Sequence, residues 1–382
     1  MPRQTETISL TSASPGTRRH LRVHRYGTPG SGPKAYLHSS LHADEWPGLL
    51  VLHHLTRLLD QADADGRICG QIVLLPFANP LGLGQRLNGD LSGRFHLDAG
   101  GNFNRGWPDL TDAVTSRVND RLTGDDLTAD IHLIREALRA AVADLPTDTE
   151  LAELRATLLG LSIDADIVLD LHCDSIATLH VYANRAQHDD ALVLTRDLGA
   201  PVLLLEDAPG GGPFDEANHG PWIRLQQRLG LDPRLAGGCF AVTVELRGEN
   251  DITDPLARQD ADALFRFLIR KGVLSGDPGP IPEARCTATP LDGVDVGRAP
   301  AAGVLAWHKN PGDRVAIGDH IADLVDIDGD DPDRARTPVS ARTSGLLFAR
   351  QAAVLVRPGD QIFKIAGAQT LAYRTGGVLL SP

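Results

Sequence analysis

The segment Leu41-His42-Ala43-Asp44-Glu45-Trp46-Pro47-Gly48 connects an apolar stretch to a predicted helix. His42 and Glu45 lie three residues apart in this segment, just before Pro47, a residue type that suits the first turn of a helix. Zinc in proteins takes nitrogen and oxygen ligands at about 2 Å, and a catalytic zinc site leaves one position open for water. The segment therefore predicts two of the three protein ligands of such a site. A solvated turn without a metal is the alternative for a motif this short.

Strands and helices alternate on both sides of this segment. The predicted strands are 6–10, 20–26, Lys34–Ser40, Gln71–Phe77, Ala165–Leu171, Thr178–Ala183, Pro201–Leu205 and Phe240–Leu246. Helical patterns cover 47–61, 111–162 with breaks at 123–124 and 146, 187–198, 217–230 and a last segment that begins at Asp254. Such alternation is typical of an α/β protein. We predict a mixed, largely parallel sheet sandwiched by helices, with a long loop at 82–109 that is expected to be functional.

The pattern changes after the Pro- and Gly-rich stretch Gly276–Pro282. Beyond it, residues 301–321 resemble residues 343–362, and short strand patterns replace helical ones. We predict a catalytic domain at 1–277 and a C-terminal all-β barrel at 278–382 that resembles a biotinyl/lipoyl-type domain. Carriers of that type modify a lysine between the two halves, whereas Asp326–Thr337 contains none. The barrel is therefore expected to act as a cap or an assembly element.

Composition excludes several classes of protein. The 382 residues carry a formal net charge of −13 without a cluster of Lys and Arg, which argues against a nucleic-acid partner. No stretch approaches the ~20 apolar residues of a membrane span, and the first thirty residues have no signal-peptide core. The four cysteines are scattered, as in a protein with reduced thiols. We expect a cytoplasmic protein with neither nucleic acid nor membrane as a partner, and the sequence leaves a homo-oligomer open.

The third metal ligand is expected to be His172. It ends a buried strand in Asp170-Leu171-His172-Cys173, and ligands of open α/β sheets gather beyond the carboxyl ends of the strands. The segment with His42 and Glu45 would lie at the same edge. A hydrogen-bonded core histidine is the alternative interpretation of His172. Asp170 is expected either to orient an imidazole or to bond to a loop.

Glu245 is the candidate general base. It closes the apolar run Val242–Leu246, where a carboxylate is costly to bury without a partner or a function. Metal-assisted amide hydrolysis needs a carboxylate that takes a proton from water and returns it to the leaving amine. The alternative is a strand-end glutamate at the surface, paired with Arg247.

The loop at 82–109 supplies the candidate substrate-binding cations. Asn104 and Arg105 place an amide beside a guanidinium, and the planar guanidinium suits bidentate binding of a carboxylate. Arg94 precedes them in the same loop and could stabilise a developing oxyanion. Arginines of exposed loops more often have no such role. Each of these arginines therefore supports a substrate site only in combination with the other candidate residues.

The set of motifs resembles one family in its order along the chain. His42-x-x-Glu45, Arg94, Asn104-Arg105, Asp170-Leu171-His172 and Val244-Glu245 occur in this order, which resembles the succinylglutamate desuccinylase/aspartoacylase family, relatives of the zinc carboxypeptidases. The similarity covers about residues 30–275, and many members carry a C-terminal β-domain.

The resemblance implies one zinc ion per chain, bound by His42, Glu45 and His172, with Glu245 as general base. It also implies that Arg94 polarises the scissile carbonyl and stabilises the oxyanion, while Asn104 and Arg105 bind the substrate carboxylate. The expected activity is that of a zinc-dependent amidohydrolase which removes an acyl group from an N-acyl amino acid or a related small carboxylate. A metallocarboxypeptidase or esterase, and a non-catalytic zinc-binding protein, are the alternatives.

Arg247 departs from the family pattern, in which small residues more often follow the catalytic glutamate. It could contact a second anionic group of the substrate, as in a dicarboxylate. It could equally be a structural partner of a nearby Asp or Glu.

Overall fold

The structure is a computed structural model that describes residues 2–98, 100–207, 210–332 and 334–374. Its strands, in chain order, are β1 (Gln4–Leu10), β2 (Arg19–Gly27), β3 (Lys34–Ser39), β4 (Gln71–Leu75), β5 (Arg86–Leu87), β6 (Asp90–Leu91), β7 (Ile167–Asp174), β8 (Ile176–Ala177), β9 (His180–Asn184), β10 (Val202–Glu206), β11 (Phe240–Gly248), β12 (Ala288–Pro290), β13 (Val294–Arg298), β14 (Gly303–Trp307), β15 (Arg314–Val315), β16 (His320–Val325), β17 (Arg336–Ser340), β18 (Gly345–Arg350), β19 (Leu355–Val356) and β20 (Gln361–Gly367). Its α-helices are α1 (Pro47–Ala64), α2 (Pro80–Leu83), α3 (Thr111–Val118), α4 (Leu127–Ala143), α5 (Glu150–Ser162), α6 (His188–Leu198), α7 (Phe214–Leu229) and α8 (Asp254–Arg270).

The largest sheet has the strand order β1-β2-β4-β3-β7-β11-β9-β10-β12. Strands β4, β3, β7 and β11 run parallel to one another, and β9, β10 and β12 form a second parallel group. Strand β9 is antiparallel to β11, and β1 and β2 add an antiparallel edge. The predicted mixed, largely parallel α/β sheet is therefore confirmed.

Strand β7 shows how the sheet presents polar groups on one face only. Side chains of a strand alternate between the two faces. Leu169 and Leu171 pack with α1, α6 and α8 in one apolar cluster, whereas Val168 packs with α3, α4, α5 and α7 in the other. Asp170 and His172 share the face of Val168, and the strands beside β7 contribute to the same face. The candidate site thus lies on the α7 side of the sheet.

Helix boundaries in the middle of the chain follow the predicted breaks. Residues 111–162 form α3, α4 and α5, separated around 123–124 and 146 as expected. The N-cap of α8 is Thr253, whose hydroxyl accepts from the Leu256 backbone N–H, so Asp254 is the first helical residue and not the cap. The predicted loop at 82–109 contains the short hairpin β5–β6, a pairing of two-residue strands too brief for periodicity to show.

The C-terminal part is all-β, as predicted. Strands β13, β20, β18 and β15 form one antiparallel sheet, and β17, β16, β14 and β19 form another. The two sheets share an apolar core that includes Leu305 and Ile321 from one and Leu347 and Ile365 from the other. Strand pairing crosses the boundary predicted at 277/278, because β12 joins the edge of the large sheet and β8 pairs with β18.

No helix in the described ranges is long and apolar enough to cross a membrane.

A buried ion pair joins the C-terminal part to the large sheet. Lys364 of β20 is 4% exposed, and its Nζ donates to Oδ2 of Asp174 at 2.5 Å. Asp174 ends β7, two residues after His172. The negative end of β7 is therefore neutralised by a strand from the other part of the chain.

Replacing Lys364 by Met is expected to lower the free energy of unfolding by about 3–5 kcal/mol, because Asp174 would keep a buried charge without its partner. Urea denaturation followed by circular dichroism measures the change. Lys271→Met is the matched control, since Lys271 pairs with Asp190 at 2.7 Å in a more exposed setting, where such a pair contributes about 0–1 kcal/mol. Equal stabilities of the two variants would contradict the assigned role of Lys364.

Candidate active site

Three buried side chains converge at the carboxyl ends of β3 and β7. His42 Nδ1 lies 2.9 Å from Oε1 of Glu45, and His172 Nδ1 lies 2.7 Å from Oε2 of the same carboxylate. The three residues are 3–5% exposed, and their ligand atoms all lie within 4.8 Å of one another. The residues expected to share one metal ion are therefore brought together, and they could hold such an ion.

Hydrogen bonds on the far side of each imidazole set its protonation. His42 Nε2 lies 2.7 Å from Oδ1 of Asn102, an oxygen that also accepts from the Asn104 backbone N–H. His172 Nε2 lies 2.8 Å from Oδ1 of Asp170. Because an acceptor lies behind each ring, each Nε2 can donate its proton there and leave Nδ1 to face a metal ion. Two lone pairs facing a carboxylate suit a shared cation, so the donor set fits a metal ion.

The two imidazoles differ in the protonation that their surroundings favour, because the charges of Asp170 and Glu45 raise the pKa of His172, whereas His42 is held neutral. Desolvation, together with the positive charge of Arg94, lowers the pKa of His42 to about 4. Asp170 shows the opposite balance, because the charges of His172 and His38 outweigh its burial and lower its pKa. His38 Nε2 lies 2.7 Å from Oδ1 of Asp170. Asp170 is thus held between two imidazoles, which supports its predicted role in orienting His172.

Local backbone contacts fix the turn that carries His42 and Glu45. Ser40 adopts a φ of 55°, and its hydroxyl donates to the carbonyl oxygen of Glu45. The Ala43 N–H donates to the carbonyl oxygen of Gly93. A Cβ at Gly93 would lie 2.3 Å from the Asp44 backbone nitrogen, so only glycine permits this approach. The contact brings the next residue of the loop, Arg94, to the metal-binding turn.

Glu245 lies beside the candidate ligands. It pairs in register with His172 across the parallel strands β11 and β7, and its Oε2 is buried without a hydrogen-bond partner among the described residues. Burial, together with the negative charge of Glu45, raises the pKa of Glu245 to about 8. A carboxyl group in this setting can hold and release a proton near neutral pH.

Arg247 does not lie in the same cavity. Its guanidinium donates two hydrogen bonds to Asp260 of α8, at 2.7 and 2.9 Å. Strand β11 is irregular between Glu245 and Gly248, and Arg247 has a φ of 66°, so its side chain points to the α8 side of the sheet. The predicted contact with a second anionic group of the substrate is therefore wrong on this geometry. The surface pair of Glu245 with Arg247 is also excluded.

The predicted substrate-binding residues Arg94, Asn104 and Arg105 all line the cavity. Arg94 Nη1 lies 2.8 Å from Oε1 of Glu45. Arg105 Nη1 donates to the Asn104 carbonyl oxygen, while its Nε has no partner among the described residues. Asn104 is already engaged at both ends of its amide. Its Nδ2 donates to Asp170 and its Oδ1 accepts from the Phe214 N–H, so these bonds orient the amide, and its contact with a substrate carboxylate stays a prediction.

The residues of this site open into one cavity of about 530 Å³. The C-terminal part of the chain forms part of its wall, with Gln351, Leu355, Gln361 and Lys364 among the lining residues. Sequence reasoning did not find these residues, since nothing near them in the chain marks them as part of a site. It also missed Glu206 and Asp215, although Glu206 ends a buried strand.

A second group of potential metal ligands lies in the C-terminal part, outside this cavity. His308, His320 and Asp323 bring ligand atoms within 4.8 Å of one another. Both histidines are exposed, and Asp323 also accepts from Arg336 at 3.0 Å. Measurements of metal stoichiometry must take this group into account.

Comparison with known proteins agrees with the geometry of the site. Residues 31–269, more than half of the chain, match the succinylglutamate desuccinylase/aspartoacylase catalytic domain. The chain belongs to this family. The resemblance inferred from the motifs is confirmed, and the matched segment contains every residue of the candidate metal centre and Glu245. Family membership supports hydrolysis of an amide bond as the class of reaction.

Similar proteins extend over nearly the whole chain. The N-alpha-acetyl-L-2,4-diaminobutyric acid deacetylase of Halomonas elongata is 25% identical over 347 residues, which are 88% of this chain and 83% of the relative. A solved structure of a Shewanella amazonensis protein, described as a member of the same family, is 26% identical with a TM-score of 0.82 and covers 96% of this chain and 98% of its own. The ectoine utilization protein EutE of Ruegeria pomeroyi, 18% identical with a TM-score of 0.65 over 96% of this chain and 95% of its own, shares the fold.

Proposed function

We propose that the chain is a zinc-dependent amidohydrolase that removes the acyl group from an N-acyl amino acid or a related small carboxylate. One observation carries the proposal: the buried group of His42, Glu45 and His172 lies beside the unpartnered carboxylate of Glu245. The Halomonas relative is named for deacetylation of an N-acetylated amino acid, which supports the same class of substrate here.

His42, Glu45 and His172 would hold the metal ion through two imidazole nitrogens and a carboxylate, the ligand types of catalytic zinc sites. When bound, such an ion polarises the amide carbonyl and lowers the pKa of water. Outer partners keep the ligands in place, Asn102 behind His42 and Asp170 behind His172. This arrangement fixes which nitrogen of each imidazole faces the site.

Glu245 has the position and the pKa of a proton carrier. It would take a proton from the attacking water and give it to the leaving amine, which otherwise departs as an unstable anion. A protein that only binds zinc has no use for a carboxylate beside the ligands whose Oε2 is buried without a partner among the described residues, because such a group costs stability. This cost favours catalysis over the non-catalytic alternative.

Arg94 and Arg105 would act on the two oxygen-bearing groups of the substrate. Arg94 contacts the candidate ligand Glu45, and from there its charge would stabilise the oxyanion that develops on the substrate carbonyl. Arg105 lines the cavity, where its guanidinium would bind the carboxylate of the amino acid. Residues of the C-terminal part, such as Leu355 and Gln361, line the cavity. Because they limit its size, they favour a small substrate over a long peptide.

Release of free amine tests the proposal. The zinc-loaded protein is incubated with N-acetyl, N-succinyl and N-formyl amino acids and with short peptides, and the Glu245→Gln variant is the blank. We expect turnover of at least one N-acyl amino acid that is absent from the blank. Turnover of peptides alone would reassign the protein as a carboxypeptidase. Lack of turnover across the panel with the metal bound would contradict the proposal.

Arg105→Ala is expected to raise KM for N-acyl amino acids by roughly 10- to 100-fold while kcat changes less, because a charged hydrogen bond to the carboxylate contributes about 1.5–3 kcal/mol. Steady-state kinetics on an N-acyl amino acid and on its carboxamide measures the effect. The carboxamide lacks the charge that Arg105 binds, so its KM should respond little. An equal rise for both compounds would remove Arg105 as the carboxylate anchor.

A further inference from the structure

Two buried carboxylates that the proposed reaction does not use lie in the same cavity. Glu206 ends β10 and Asp215 lies in the first turn of α7, and they are 6% and 2% exposed. Oδ1 of Asp215 is buried without a partner among the described residues, and so is the hydroxyl of Tyr182 on the neighbouring strand β9. Within the described ranges, Glu206 also forms no ion pair. All three residues line the cavity.

Such groups are costly unless a cation reaches them. Burial raises the pKa of Asp215 to about 7. Burial, with the negative charges of Asp215 and Glu216, raises the pKa of Glu206 well above its usual range. The N-terminus of α7 can stabilise a carboxylate in its first turn. Glu206 lies outside that helix, and Oδ1 of Asp215 has no partner among the described residues. Stabilisation of the helix therefore does not explain why Glu206 and Asp215 are buried together.

Arg105 is a positive group whose charge acts on this acidic pair but does not neutralise it. No ion pair within the described part of the chain joins it to either carboxylate. This part of the cavity therefore offers one guanidinium and two carboxylates. A molecule with one carboxylate and one ammonium group would satisfy both kinds of partner, whereas a dicarboxylate would face like charges.

We propose that Asp215 and Glu206 bind an ammonium group on the side chain of the acylated amino acid, with the hydroxyl of Tyr182 as a further acceptor. The inference rests on the proposed function, because it assigns this subsite to the substrate of the same reaction. The substrate class is then an Nα-acyl amino acid that carries a side-chain amine. Arg105 binds its α-carboxylate, and the acidic pair selects against neutral and anionic side chains.

The test compares two substrates of the same shape, Nα-acetyl-2,4-diaminobutyrate and Nα-acetylnorvaline, which differ by an ammonium in place of a methyl group. We expect wild-type kcat/KM to favour the ammonium substrate by roughly 10- to 100-fold, the range of a buried charged hydrogen bond. Asp215→Asn and Glu206→Gln should each remove most of this preference, because kcat/KM falls more for the ammonium compound than for the norvaline compound. Asp207→Asn is the matched control, since Asp207 follows Glu206 in the chain but is exposed and contacts Arg185.

Calorimetric binding of both compounds to Glu245→Gln separates the inference from the proposed function. The inference alone would be overturned if the wild type turned over both compounds with equal kcat/KM. It would also be overturned if Asp215→Asn lowered kcat/KM equally for both compounds. A different outcome would contradict the proposed function alone. In it, Glu245→Gln binds the ammonium compound more tightly, the double variant with Asp215→Asn does not, and the wild type turns over neither compound. Lack of preference in both kinetics and binding would overturn the inference whatever the activity.

Discussion

Glu245→Gln is expected to lower kcat by roughly 10²- to 10⁴-fold, the contribution of a positioned general acid–base group. Gln preserves the shape of the side chain and removes only its ability to carry the proton. Because Glu245 is not one of the converging ligands, the variant should keep its metal. Steady-state kinetics together with metal analysis measures both quantities.

Glu6→Gln is the control for the removal of one carboxylate. Glu6 pairs with Arg25 on the surface at 3.0 Å, far from the cavity, and surface pairs contribute about 0–1 kcal/mol to stability. Its kcat should match that of the wild type. Near-normal turnover by Glu245→Gln with full metal content would show that another group carries the proton.

His172→Ala is expected to abolish stoichiometric binding of zinc and, with it, activity. The variant removes one of three protein ligands from a buried site, which two donors cannot hold at comparable affinity. Asp170→Asn provides a graded comparison, because loss of a carboxylate behind a ligating imidazole typically lowers metal affinity about 10- to 100-fold. The expected order of zinc affinity is therefore wild type, Asp170→Asn, His172→Ala.

Competition with a chromophoric chelator measures these affinities. All three proteins should carry His308→Ala, which removes the second group of potential ligands, formed with His320 and Asp323. The background variant alone should keep one zinc ion and full turnover. Retention of tight zinc binding by His172→Ala in this background would contradict the assigned ligand set.

Much of the fold could be predicted because the governing signals are local. The largely apolar runs at Gln71–Phe77 and Ala165–Leu171 are typical of strands buried on both faces, and they contain β4 and most of β7. Pro47 marked the start of α1, and the breaks between α3, α4 and α5 lay where Gly and Pro predicted them. The hairpin β5–β6 escaped prediction because strands of two residues have no periodicity to detect.

The candidate residues could be chosen from local patterns, whereas their partners lie far away in the chain. His172 and Glu245 were predicted because each lies near the end of an apolar strand, and the structure brings His172 together with His42 and Glu45. Arg247 was misplaced because a positive φ in β11 turned its side chain to Asp260. The amide partners of Asn104, Asp170 and the N-terminus of α7, come from distant segments that no local pattern indicates.

The sequence by itself determined the alternating α/β pattern, the change of structure after residue 276 and the chemical types of the ligands, since each depends on neighbouring residues. Only the tertiary structure decided what surrounds the site. Lys364 meets Asp174 across 190 residues of sequence, and the unpartnered carboxylates of Glu206 and Asp215 become informative only once their burial in the cavity is known. Burial and the loss of water around a charge are properties of the packed chain, and no local pattern encodes them.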